Sequence, residues 1–271
     1  MFRHTCCVVL LYLLFAPAVS AQGLLFSLPE DGTGVEYEGQ LLLETIRPDL
    51  EDGLEELQWT RSLIIKSVGR EDAEYKGELQ PCRWIEIKSV TGTAGAGGID
   101  SGLVGARVYK ILVPESRVIS SAADATGIPN SVLPIVKGYR RLGEEAAEPI
   151  RSKGLIVYPT VSLLANYVDP EVVADSEEVA SVGGQDSFDA QHLKGRLVQE
   201  RRDARSTNTA DYWISRQIPF GLAGWSVKVV REVKGSTEDR STFRQLTTVS
   251  CDMKVLQILD SVESELTVGG L

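Results

Sequence analysis

Any acid–base or nucleophilic chemistry in this chain must draw on very few side chains. Of its two histidines, His4 lies in an N-terminal export-type segment, which leaves His192 as the one imidazole for a proton relay. A Ser-His-Asp arrangement needs a nucleophile on one ring nitrogen and a carboxylate on the other. Ser226, within Gly224-Trp-Ser-Val-Lys228, lacks the second glycine that shapes a nucleophile elbow. His192 opens a β-pattern beside a loop, where an ordinary hydrogen-bonded imidazole is expected. One histidine and dispersed cysteines supply no clustered zinc ligands. Carboxylates are plentiful, 38 in all, but a hydrolytic pair needs a spacing of roughly 5–9.5 Å that no stretch singles out. Glu36, Glu38 and Glu86 read as the wet faces of strands. The glycine-rich Gly92–Gly98 invites a phosphate-loop reading, yet Ile99-Asp-Ser101 follows it rather than a Lys-Ser/Thr pair. A hairpin loop is the simpler expectation. The sequence therefore points to a non-enzymatic protein with no catalytic residue, metal ligand or cofactor.

Aromatic residues are better candidates for binding. Trp59, Trp84, Trp213 and Trp225 all fall in strand patterns, where aromatics pack in the core or stack across strands. Trp213 and Trp225 stand on either side of the tight Ile-Pro-Phe-Gly connection within Tyr212–Val230. They are the candidate ligand-facing pair.

Composition limits the partners. The chain has 271 residues, 28 basic and 38 acidic, for a net charge of −10. An acidic surface repels phosphate backbones and anionic headgroups, so nucleic acid is not an expected partner. The first 21 residues have the form of a secretory signal, with Arg3 and His4 ahead of a short apolar run from Val8 to Ala16. Val19-Ser-Ala21 places small residues at −3 and −1, so cleavage is expected between Ala21 and Gln22. No later run is long and apolar enough for a spanning helix. The expected address is periplasmic or extracellular. In that oxidising setting Cys82 and Cys251 suggest one disulfide, closing about 170 residues and contributing on the order of 5 kcal/mol. Two buried thiols are the alternative.

The elements that position these residues are mainly strands. Gly34–Ile46, Trp59–Val68, Arg83–Val90 and Arg107–Ile119 form a first β half, the last a strand pair or one strand broken at Pro114. Ile85 and Ile87 face one side; Trp84, Glu86 and Lys88 face the other. Tyr109, Ile111 and Val113 share a face. His192–Arg201, Thr209–Ile218, Trp225–Val233 and Thr242–Met253 form a second half, read as a meander. Between the halves, Val132, Ile135, Val136, Tyr139 and Leu142 recur at helical spacing, with a second helical pattern at Val161, Leu164 and Ala165. The expected organisation is a signal (1–21) and one β-rich domain (22–271). That domain would contain a central helical segment (about 129–168) and an acidic loop (about 169–191). Val255–Leu266 also has helical spacing. A mainly β, α+β fold follows: a curved, open antiparallel sheet or incomplete barrel with helices across one side. A two-layer sandwich is the alternative.

The run Ala210-Asp-Tyr-Trp-Ile-Ser-Arg-Gln-Ile-Pro-Phe-Gly-Leu-Ala-Gly-Trp225, together with Val108-Tyr-Lys-Ile-Leu-Val-Pro-Glu115, resembles exported proteins of the LolA/LolB-like superfamily, the periplasmic lipoprotein-carrier fold. That resemblance implies an incomplete, strongly curved barrel with helices across its mouth and an apolar groove for acyl chains. It supplies no ligand residue. Two expectations result. One is a carrier or sensor of a lipid-like apolar or acylated ligand, with the helix at Val132–Leu142 as a lid. The other is a structural module of the envelope that binds another protein. They differ in whether the sheet's inner side is open and apolar or filled.

Overall fold

A computed structural model describes residues 23–118, 133–155 and 161–266. The expected signal and its expected Ala21–Gln22 cleavage site lie outside the described residues. The strands are β1 Gly34–Ile46, β2 Leu54–Tyr75, β3 Glu78–Gly95, β4 Gly98–Asp100, β5 Arg107–Pro114, β6 Leu133–Pro134 and β7 Lys137–Leu142. They continue with β8 Glu148–Pro149, β9 Gly154–Leu155, β10 Glu171–Ala180, β11 Ser187–Glu200, β12 Ala204–Ile214, β13 Leu222–Val233 and β14 Arg244–Leu259. Twelve of them form one antiparallel sheet in the order β10-β11-β12-β13-β14-β1-β2-β3-β5-β7-β8, with β4 paired to β3 and no closure between the two edges. The sandwich alternative does not form, because every long strand joins this sheet and the second sheet is only β6 with β9.

The topology explains how the inner face is covered. The chain meanders outward from β1 to β8, then reappears at the opposite edge as β10 and meanders back until β14 pairs with β1. The connection between the edges must cross the sheet, and its residues Val161–Tyr167 lie against the inner face. Val161, Leu164 and Tyr167 are at most 3% exposed. Three side chains of the sheet hold its backbone. Arg61 donates to the Val161 carbonyl (2.8 Å), Trp225 to Ser162 (3.0 Å) and Asn208 to Leu163 (2.8 Å). The Tyr167 hydroxyl donates to Asn208 (2.7 Å), and its ring stacks on Tyr212. Gly195 makes that stacking possible, since a Cβ there would sit 2.3 Å from the Tyr167 ring. Leu24 and Leu25 are fully buried in the same core, and the Phe26 amide donates to the Phe220 carbonyl. Phe220 and Gly221 both have positive φ, 65° and 85°. That left-handed turn within Ile-Pro-Phe-Gly receives the N-terminal segment.

The helical expectations do not hold. Val132 lies outside the described residues, and the rest of that pattern is extended, with β7 paired to β5. Ile135 and Val136 sit at the break between β6 and β7, so the apolar spacing reflects a kinked strand connection. Gly138, packed against Ile135, Ile111 and Ile150, is a poor helix residue in any case. In the second pattern Val161 ends a helical turn, whereas Leu164 and Ala165 lie in irregular chain across the inner face. The expected acidic loop is largely β10 and the start of β11. As an edge strand β10 is wet along almost its whole length, so no alternation advertises it. Val255–Leu259 ends β14, and the chain beyond it is a strap of irregular structure.

That strap corrects the reading of Glu86. It is 1% exposed, not solvated. Its carboxylate accepts from the Ser264 hydroxyl (2.7 Å), the amides of Glu265 (3.0 Å) and Leu266 (3.2 Å), and Lys66 Nζ (3.4 Å). Lys66 and Lys88 also pair with Glu265 at 2.9 and 2.8 Å. Burial pushes the Glu265 carboxyl up, but the hydrogen bonds and charges of Lys88 and Lys66 outweigh it and hold it below its usual range.

The disulfide is also overturned: Cys82 and Cys251 are free and buried. Between them lie β1 and β2, about 14 Å of sheet at the usual strand spacing. Cys251 aligns through Leu41 with Trp59, whereas Cys82 aligns with Glu71, far along the same strand. A disulfide tolerates no more than about 7 Å between Cα atoms. Burial holds the Cys251 thiol up at about 11, despite Arg61 beside it. Thiol labelling of the unfolded, non-reduced protein is expected to modify both cysteines, and the folded protein neither. Absence of reactive thiols after unfolding would contradict this arrangement.

Candidate functional site

Cross-strand register sorts the inner face into rows. One runs Leu193, Tyr212, Trp225, Met253, Gly39, Arg61 and Thr91 through β11, β12, β13, β14, β1, β2 and β3. It lies beneath the crossing segment, and Leu193, Tyr212, Trp225 and Met253 are at most 2% exposed. The next row is Gly195, Ala210, Val227, Cys251, Leu41 and Trp59. A third is Leu197, Asn208, Val229, Val249, Leu43 and Leu57. Here the apolar side chains are only half-buried, and Leu57 is 43% exposed. The inner face is thus filled over one part and apolar but incompletely covered over the next.

At the β2–β3–β5 side of these rows is a cleft of about 410 Å³, bordered by Trp59, Arg61, Thr91, Arg107, Tyr109 and Val161 among others. The β3–β4 hairpin forms one wall, turning at Ala96–Gly97 as a hairpin loop rather than a phosphate loop. Gly92 permits the close approach, because a Cβ there would lie 1.9 Å from the Asp100 carbonyl oxygen. Arg61 Nε donates to Thr91 Oγ1 (2.9 Å). Burial lowers the pKa of its guanidinium, Cys251 opposes that, and Arg107 pushes the same way as burial.

The sequence-nominated tryptophans occupy opposite faces. Trp225, 1% exposed, packs edge-on against Tyr37 at 5.0 Å and anchors the crossing segment. Tyr37 donates to the Leu222 carbonyl, so the pair also ties β1 to β13. Trp213 is half-buried on the outer face and stacks on His192 with ring centroids 4.6 Å apart. Its indole N–H is buried and has no hydrogen-bond partner among the described residues. A second cleft of about 660 Å³ borders both residues, but its charged side chains are mostly acidic: Glu38, Glu177, Glu178 and Asp252 against Lys254. Trp59, by contrast, is half-buried at the end of the second row and also borders the arginine-bearing cleft. Sequence reasoning recognised it only as a strand aromatic, because its face is set by a strand that starts at Leu54, well before the β-branched run.

His192 is held by carboxylates on both sides, Nδ1 at 3.0 Å from Glu177 and Nε2 at 2.9 Å from Asp211. Ser226 lies across from Asp211 on β13. With both ring nitrogens facing carboxylates, this geometry leaves neither for a serine proton. The cluster instead ties the edge strand β10 through β11 to β12. Among the described residues no helix is long and apolar enough to cross a membrane. Neither protein-family models nor curated proteins give a match to this chain.

Proposed function

We propose that this chain is an exported, non-enzymatic binding protein of the periplasm or cell envelope, and that its ligand is amphipathic and lies along the inner face beside the Trp59 cleft. The supporting observation is the run Val229, Val249, Leu43 and Leu57, bounded by Asn208, which is apolar across four adjacent strands yet incompletely covered. Soluble proteins rarely leave contiguous apolar surface uncovered without a use for it. In an incomplete barrel of the lipoprotein-carrier kind, this row would form the floor of an acyl groove, with the Val161–Tyr167 crossing segment as its end wall. An alkyl chain of ~12 methylenes would gain roughly 10 kcal/mol by leaving water, before the costs of ordering, which leaves micromolar affinity within reach.

One observation favours a second reading. The crossing segment fills much of the inner face, as a permanently packed structural or protein-binding module of the envelope requires. Titration of delipidated protein with a fluorescent fatty acid separates the two. Saturable binding, weakened several-fold by the double substitution Leu43→Ser and Val249→Ser, is the expected result. No saturable binding by folded wild type would leave the protein-binding module as the better reading.

A further inference from the structure

The inner face buries two arginines, and they are treated differently. Arg83, 1% exposed, has a counter-charge: Glu115 lies 2.9 Å from its Nη2 and accepts from Nε, while Nη1 donates to the Pro29 carbonyl and the Ser67 hydroxyl. Arg61, 8% exposed, bonds the Thr91 hydroxyl and the Val161 carbonyl. Among the described residues no carboxylate lies within ion-pair distance of it. A guanidinium has five N–H donors; these two bonds use two of them, and the Cys251 sulfur, a neutral thiol, is a further partner. Buried charges in folded proteins are normally paired, because desolvation is otherwise uncompensated.

A second cation stands at the same place. Arg107 is exposed, borders the same cleft, and makes no ion pair among the described residues. Arg61 and Arg107 are close enough to repel each other. Two arginines gathered in one cleft of a chain with net charge −10 run against the general charge of the molecule. Among the described residues the cleft has one carboxylate, Asp100, which accepts from the Gly102 amide in its own turn. Trp59 and Tyr109 supply flat apolar surface beside the cations.

We infer that this cleft binds the anionic end of an amphipathic ligand, a carboxylate or a phosphate group, with Arg61 as the buried anchor and Arg107 as the exposed partner. The inference deepens the binding-protein reading and rests on it. Guanidinium groups match both anions through paired N–H donors. The alkyl part would leave the cleft past Trp59 and lie along Leu41, Leu43 and Leu57. A cation on a half-buried apolar floor selects for amphiphiles over plain hydrocarbons.

The test is calorimetric titration of the full mature chain at low ionic strength with octanoate, octyl phosphate and octyl glucoside. Both anions are expected to bind at least ten-fold more tightly than the neutral glucoside, with the tighter of the two identifying the headgroup class. Arg107→Glu, at an exposed position that leaves the core intact, should abolish that preference. Arg61→Gln should abolish it as well, with circular dichroism confirming the fold. If the glucoside binds as tightly as the anions, or Arg107→Glu keeps the preference, the anion site is refuted while the binding reading stands. If none of the three binds, both fall.

Discussion

Glu86→Ala is expected to destabilise the protein by on the order of 3 kcal/mol, read as a lowered urea midpoint with an unchanged slope. The carboxylate is fully buried and accepts from a hydroxyl, two backbone amides and Lys66. Removing it strands those donors in a place water reaches poorly. Lys66 keeps Glu265 as a partner, which holds the loss below that of a wholly unpaired buried lysine. Against a typical total stability of about 5–15 kcal/mol, this is a large fraction. The local signature is as telling as the global one. The amides of Glu265 and Leu266 should exchange with solvent much faster in the variant, while the β13–β14 ladder amides change only with overall stability. Glu265 adds a dependence on pH. Its carboxyl is held below the ordinary range, so its stabilisation is complete above the unfolded-state value and is lost only as pH falls through the lowered folded value. The strap should therefore be insensitive to pH near neutrality and loosen in acid. An unchanged midpoint in Glu86→Ala would mean that the strap contributes nothing to stability.

The second large effect separates two residues that the sequence puts in one phrase. Trp225→Ala is expected to cost about 3–5 kcal/mol, the usual range for emptying a large buried aromatic site. It removes the edge-on contact with Tyr37 and the hydrogen bond that holds the Ser162 carbonyl, so the crossing segment loses an anchor as well as a packing partner. Trp213→Ala removes a half-buried ring from the outer face and should cost roughly 1 kcal/mol, within the range for a stacked surface pair. Trp225→Phe divides the larger effect, retaining most of the packing while giving up the N–H donor. Denaturant unfolding followed by circular dichroism reads all three. Equal losses in the two alanine variants would contradict their placement on opposite faces.

Period-two alternation made much of the sheet legible beforehand. Gly34–Ile46 coincides with β1 as read from its composition, and the opposed faces of Ile85/Ile87 and Trp84/Glu86/Lys88 follow from side-chain geometry in any strand. Strand ends were harder. Trp59–Val68 and Arg83–Val90 are the expected extents, yet the structure carries β2 on to Tyr75 and starts β3 at Glu78. Pairing between the two strands satisfies the backbone there whatever the side chains are. The same reasoning covers β10, whose wet faces leave no alternation to detect.

What the chain determined by itself, then, was local: the extended cores of the strongly patterned strands such as β1, β12 and β13, the tight turn within Ile218–Gly221, and which side chains of a strand share a face. Whether a face is wet or dry was decided only by long-range pairing. Glu86 sits on an alternating polar face, and only the return of Ser264–Leu266 across that face turns it into a buried carboxylate. Cys82 and Cys251 look like partners in a list of residues and are separated by the register of β14, β1, β2 and β3. Arg61 reads as one more charge on a strand. It acquires its character because β14 returns to pair with β1, which forces the connection from β9 to β10 across the inner face and over its guanidinium. Burial is a property of what arrives from far along the chain, and alternation within a strand carries no information about that arrival.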